Sequence, residues 1–232
     1  MPRRSVRSAG AAATAFAAIS AAALIAGCGA MGSSSGSPMS YFITSANPGK
    51  GGDVGGLAGA DRFCQSLAAS VGAGNKTWHA YLSTAAMNGQ PSVNARDRIG
   101  TGPWTNAKGV VVATSVADLH SASAKVGKET SLTEKGEVVS GFGDPVNRHD
   151  ILTGSRPDGT LAVPDPGKDT TCGNWTRSDG GSAIVGHHDH KGTNPDPVAN
   201  ASWNSSHGTR GCSVDQLKAS GSAGLMYCFA TN

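Results

Sequence analysis

The chain is poor in charge and in aromatic rings: 15% of its 232 residues are Asp, Glu, Lys or Arg, and 5% are Phe, Trp or Tyr. Scarce charge without an acidic or basic block excludes a charged interaction arm. Glu129, Glu134 and Glu137 are the only glutamates, so carboxylate chemistry has few acids to draw on. No Walker loop is present, which removes the phosphate-cradling signature of nucleotide hydrolases. No two cysteines stand two residues apart, which argues against a zinc ribbon and against a thioredoxin-like redox centre. Internal repeats and a second hydrophobic block are also lacking, so one folded domain is expected.

Glycine is what the chain has in excess, 33 residues, about twice the usual share. This disfavours a long helical bundle and points to a loop-rich globule. The net charge of +3 is carried by Arg3, Arg4 and Arg7, ahead of any acid, and the remainder is close to neutral. Nucleic-acid binding draws its affinity from counterion release along a basic stripe, and none exists here.

Those arginines head an Ala-rich run from Ala11 to Ala26 that ends in Ile25-Ala26-Gly27-Cys28. The layout is that of an export signal. Its end resembles the bacterial lipobox, which implies cleavage after residue 27 and diacylation of Cys28 as the mature N-terminus. The expected location is therefore the cell envelope, anchored through the lipid, at the outer membrane if the host has one. Residues 28–40, rich in Gly and Ser, read as a tether, with the domain over residues 41–232.

Setting Cys28 aside leaves Cys64, Cys172, Cys212 and Cys228. An even set in an exported protein predicts two disulfides, with three pairings open. Tyr41 to Thr44 reads as a strand. After a Gly-rich turn comes a helix in which Phe63, Leu67 and Val71 recur every four residues beside Ala60, Cys64 and Ala68, with Asp61 expected in its first turn. Trp78 to Leu82 alternates like a strand, Val110 to Ala113 is a short apolar run, Val116 to Ala124 suggests one or two helical turns, and Leu225 to Ala230 reads as a final strand.

Four segments in order carry a resemblance: Gly59-Ala60-Asp61-Arg62-Phe63-Cys64 with Trp78-His79-Ala80-Tyr81-Leu82-Ser83; Arg96-Asp97-Arg98-Ile99 with Gly102-Pro103-Trp104; Gly154-Ser155-Arg156-Pro157-Asp158-Gly159 with Thr171-Cys172-Gly173-Asn174-Trp175; and Gly211-Cys212 with Leu225-Met226-Tyr227-Cys228. Together they resemble the endostatin domain of certain collagens, a variant of the C-type lectin fold. The resemblance implies an α+β fold of short antiparallel strands, one or two helices and long loops. It also implies nested disulfides, Cys64 with Cys228 and Cys172 with Cys212, and pairing of the first strand with the last. Residues 121–148 fit the pattern poorly.

Function needs a site, because a fold hosts many functions. Sugar-binding C-type lectins hold calcium with a Glu-Pro-Asn or Gln-Pro-Asp triplet and a later Trp-Asn-Asp. Asn194-Pro195-Asp196 is similar to the first, and Trp203-Asn204 starts the second but continues with Ser205. Asn194, Asp196, Trp203 and Asn204 are therefore the expected ligand-binding residues, although a hard cation wants six to eight oxygens and these supply only part of that shell. A second candidate, for zinc, is His187-His188-Asp189-His190, in which alternate imidazoles would point the same way and a distant His207 could join. Collagen endostatins bind zinc near their N-terminus, but Cys28 to Leu57 holds no His, so that property is not carried over. The expectation is a binding module without enzymatic activity, recognising a carbohydrate or a protein through the loops between Asp179 and Asn200. The alternatives are a metal-dependent hydrolase on the His187–His190 cluster, which lacks a glutamate base nearby, and a purely structural envelope protein.

Overall fold

The computed structural model describes residues 37–163, 165 and 168–232. The expected signal segment, Cys28 and most of the tether lie outside the described residues. Met39 and Ser40, expected at the end of the tether, are instead packed: both are buried, and Ser40 exchanges backbone hydrogen bonds with Thr105 and Ala230.

The last strand organises the domain. β8 (Ser222–Ala230) is buried on both faces, as its nearly unbroken apolar run requires of a central strand. Its C-terminal half takes β1 (Tyr41–Ile43) and β2 (Trp78–Ala80), both antiparallel, with Tyr41 opposite Phe229 and Ala80 opposite Cys228. Its N-terminal half takes β5 (Asp150–Leu152) in parallel. β6 (Ile184–His187) and β7 (His207–Gly208) extend the sheet outward from β5, each antiparallel to its neighbour. A separate two-stranded ladder joins β3 (Trp104–Thr105) to β4 (Val111–Ala113), which leads into the single turn α2 (Val116–Leu119). The chain is thus mixed α and β, with few helices, and the expected pairing of first and last strands is observed.

Alternation along β8 sorts its side chains into two cores. Met226 and Cys228 join Phe42, Trp78 and Trp175 beneath helix α1 (Gly56–Ser70), while Leu225, Tyr227 and Phe229 join Tyr41, Tyr81, Trp104 and Trp203 on the other side. On α1 the small residues Ala60, Cys64 and Ala68 face inward, and Phe63, Leu67 and Val71 flank them half-buried. Small side chains let the helix lie close enough for the Cys64–Cys228 disulfide, with a Cα separation of 5.6 Å. Cys172 and Cys212 form the second bridge, so the nested pairing is correct. Because α1 begins at Gly56, Asp61 lies beyond the first turn. Its carboxylate pairs with Arg98 at 2.7 Å and accepts the Ala80 N–H, tying helix to strand.

Residues 121–148 are an ordered cover on β1. The Ile43 N–H donates to Leu132 O, Tyr41 Oη donates to Ser131 Oγ, and Ser45 donates to Glu134. Among the described residues no helix is long and apolar enough to cross a membrane.

Candidate metal centre

Register places the centre. Asp150, first residue of β5, lies opposite His187, last residue of β6, while His207 of β7 lies opposite Val185. Directly opposed residues share a face, and so do residues two apart on one strand. Three adjacent strands therefore deliver Asp150, His187 and His207 to one face, at the end of the sheet where β5 begins. His149, just before β5, stacks its ring on His187 at 4.3 Å between centroids.

Asp150 sits in the middle, fully buried. His149 Nε2 lies 3.2 Å and His187 Nε2 3.3 Å from its Oδ1, and His207 Nε2 lies 3.5 Å from its Oδ2. Both carboxylate oxygens and His187 Nε2 are buried without a hydrogen-bond partner. Such atoms are costly inside a protein unless something bonds them. The other ring nitrogens say what is missing. His187 Nδ1 faces Asn200 O at 2.7 Å, His149 Nδ1 faces Asp189 Oδ1 at 3.2 Å, and His207 Nδ1 faces Gly208 O at 3.1 Å. Carbonyl and carboxylate oxygens only accept, so each ring donates from Nδ1, and in its neutral form turns the lone pair of Nε2 towards the carboxylate. Between such groups positive charge is needed, supplied either by a proton on an imidazole or by a metal ion.

A tetrahedral ion with bonds of about 2.0–2.1 Å separates its ligand atoms by about 3.3 Å; His149 and His187 Nε2 lie 3.2 and 3.3 Å from Asp150 Oδ1, with all three ligand atoms within 4.8 Å of one another, while His207 stands beside that group and outside it. Nitrogen-rich donors favour zinc or a similar transition metal over calcium. Space is kept by Gly221, with φ of +93°: a Cβ there would lie 3.2 Å from both Asp150 Oδ2 and His149 Nε2. Gly192 does the same behind His187, where a Cβ would meet the imidazole Cε1 at 2.3 Å.

Burial alone would push the Asp150 carboxyl up. Its contacts to His187 and His207, and its electrostatic interaction with the nearby imidazoles, outweigh this and hold it below the ordinary carboxylate range. Reciprocally, Asp150 holds His207 above the usual imidazole value, against the effect of burial.

Of the expected zinc cluster, His187 alone belongs to the centre. His188 is fully buried on the opposite side of the chain, its Nε2 3.4 Å from Ser140 O. Asp189 orients His149 from outside and accepts the Phe142 N–H at 2.6 Å, and these bonds hold its carboxyl low despite burial. His190 turns its two nitrogens to the carbonyls of Ala201 and Val126. The expected alternation fails because β6 stops at His187 and the chain turns. His149 and Asp150 escaped the sequence reading; the available signal was an Asp entering the apolar run Ile151-Leu152, where a buried carboxylate demands partners.

The calcium set is corrected too. Asp196 accepts the N–H groups of Val198 and Ala199, capping the short helix α3 (Pro197–Asn200). Asn194 bonds Ser206 O and the Asp196 N–H. Asn204 is buried, donating to Tyr81 Oη and to the carbonyls of Arg156 and Pro157, and Trp203 is 7% exposed, packed on Tyr81 and Tyr227. Their oxygens serve turns and the core, and do not converge. Asp196, Trp203 and Asn204 border one cleft of about 560 Å³, beside His120 and Val198. Asn194 borders another, of about 440 Å³, with His207. No protein-family model and no curated protein sequence matches the chain.

Proposed function

We propose that the chain is an exported, lipid-anchored binding module of the endostatin-like, C-type lectin-like type, and that a zinc-class ion at His149, Asp150 and His187, with His207 beside them, organises its ligand-binding loops. The nested disulfides, the pairing of β1 with β8 and the long loops support the fold reading. One observation carries the functional reading: two imidazoles, of His149 and His187, converge on a buried carboxylate that has no hydrogen-bond partner. The ion would bind β5, β6 and β7 together and, through Asn200 and Gly208, fix the loop between β6 and β7. Ordering a loop in advance lowers the entropic cost of binding there.

Binding is favoured over hydrolysis by what lines the cleft beside His207. Thr193, Asn194, Arg210 and Ser220 are polar, but no carboxylate is among the lining residues, so the cleft itself offers no carboxylate base. The test is metal analysis of the exported, oxidised protein. One zinc-class ion per chain is expected, lost in His149→Ala and His187→Ala. A wild-type protein that takes up no ion from micromolar zinc overturns the reading.

A further inference from the structure

The four residues are not equally enclosed. Side-chain exposure is 4% for His149, 1% for His187 and 0% for Asp150, but 32% for His207. His207, 3.5 Å from Asp150 Oδ2, therefore links the centre to the 440 Å³ cleft that it lines. On its rim stands Arg210, exposed and, among the described residues, without an ion-pair partner.

We infer that this cleft receives the carboxylate of a small hydroxylated acid, a sugar acid, between Arg210 and the His207 side of the centre. The inference rests on the metal reading above. A divalent ion on neutral imidazoles and a single carboxylate keeps a net positive charge, and a bound ion is often the largest local charge in a site. Arg210 adds a planar fork of donors suited to a carboxylate. The lining residues include no acid to oppose an anion.

The remaining walls explain why the anion should carry hydroxyls. Thr193 offers a hydroxyl with no partner among the described residues, Asn194 keeps one amide N–H beyond its bond to Ser206 O, and Ser220 stands beside them. Pro195 and Ala219 are the only apolar side chains of any size in the lining, too little surface to hold an aliphatic acid by burial. The volume suits a monosaccharide and is at the small end of ligand clefts. The near-neutral sequence excluded an anion site built from a basic stripe; here the positive charge comes from the ion.

Cobalt(II) accepts the same nitrogen and oxygen donors and reports them in its visible spectrum. The exported, oxidised protein is loaded with Co(II) and titrated with D-glucuronate, with D-glucose as the neutral control. The expected result is a saturable spectral change with glucuronate at about millimolar concentration and none with glucose. Arg210→Ala should load Co(II) as the wild type does yet bind glucuronate about tenfold more weakly, with partial rescue by Arg210→Lys. Normal loading with no response to glucuronate overturns the sugar-acid inference and leaves the metal reading standing. An equal response to glucose, or an undiminished response in Arg210→Ala, also overturns it. Failure to load Co(II) at all removes the metal reading and this inference with it.

Discussion

Replacing Asp150 with Asn keeps the shape of the side chain and removes its charge, which separates a metal centre from a polar knot in the core. An ion that binds only the folded protein stabilises it by RT ln(1 + [L]/Kd), about 2.7 kcal/mol at a hundredfold excess over Kd. For a domain of this size each kcal/mol moves the melting temperature by about 2–4 °C, so zinc should raise that of the wild type by about 5–10 °C. Asp150 is the only anionic ligand, and its loss should weaken binding by at least about 100-fold, since even outer partners of a metal site are worth 10- to 100-fold. At the same zinc concentration the gain then falls to about 0.4 kcal/mol, a shift of about 1–2 °C. In chelator the comparison changes sign or vanishes. The carboxylate faces imidazole lone pairs at 3.2–3.5 Å and must recruit a proton, whereas an amide can donate to one of them directly. Chelated Asp150→Asn should therefore melt within about 1 kcal/mol of chelated wild type, or above it, since a buried ion pair is often replaceable without loss. The assay is thermal unfolding of both proteins with zinc and with chelator. A wild type indifferent to both, or a variant that keeps the full zinc shift, refutes the reasoning.

Acid should destabilise the chelated protein through His188, which burial pushes from 6.5 down to about 4. A depressed folded-state value means that the unfolded chain takes the proton first, so this stability is intact above pH 6.5 and is lost as pH falls towards 4. The loss approaches about 3 kcal/mol, and urea titrations at several pH values should show a shallower decline for His188→Gln. Removing the Cys64–Cys228 bridge, with a separation of 164, should cost more than removing Cys172–Cys212, with 40: about 5 against about 4 kcal/mol from loop closure, measured by denaturant unfolding of the paired Cys→Ala variants. Gly221→Ala places a methyl against Asp150 and His149 on a backbone with φ of +93°. Isothermal titration should find zinc affinity reduced far beyond what the accompanying loss of about 1–2 kcal/mol in stability would explain.

The elements legible in the sequence were those whose pattern is local. Tyr41–Ile43, Trp78–Ala80 and the core of β8 were read from alternation or from an apolar run, and α1 from its four-residue recurrence. Periodicity fixes a helix's axis of symmetry but not which flank is innermost. On α1 the disulfide and the close approach to β8 favour the small residues, while the larger stripe of Phe63, Leu67 and Val71 covers the edge. Strands β5 to β7 were missed because two to four residues among glycines and serines show no period. What holds them is pairing with strands far away in the chain.

The same cause governs the centre. Sequence proximity singled out His187, His188, Asp189 and His190, but neighbours at the end of a strand point to different sides once the chain turns, and only one of the four could enter a common site. The residues that meet it come from positions 149, 150 and 207, brought together by ladders that pair Asp150 with His187 and Val185 with His207. A dense cluster of ligand-type residues is thus weaker evidence of a metal than a solitary buried carboxylate, because the cluster can satisfy itself with backbone and water whereas the carboxylate cannot. Asp150 has no exposed surface, and its carboxylate has no hydrogen-bond partner. The fold tolerates it only with positive charge at hand, which the proposed metal ion, or in its absence a protonated imidazole, would supply.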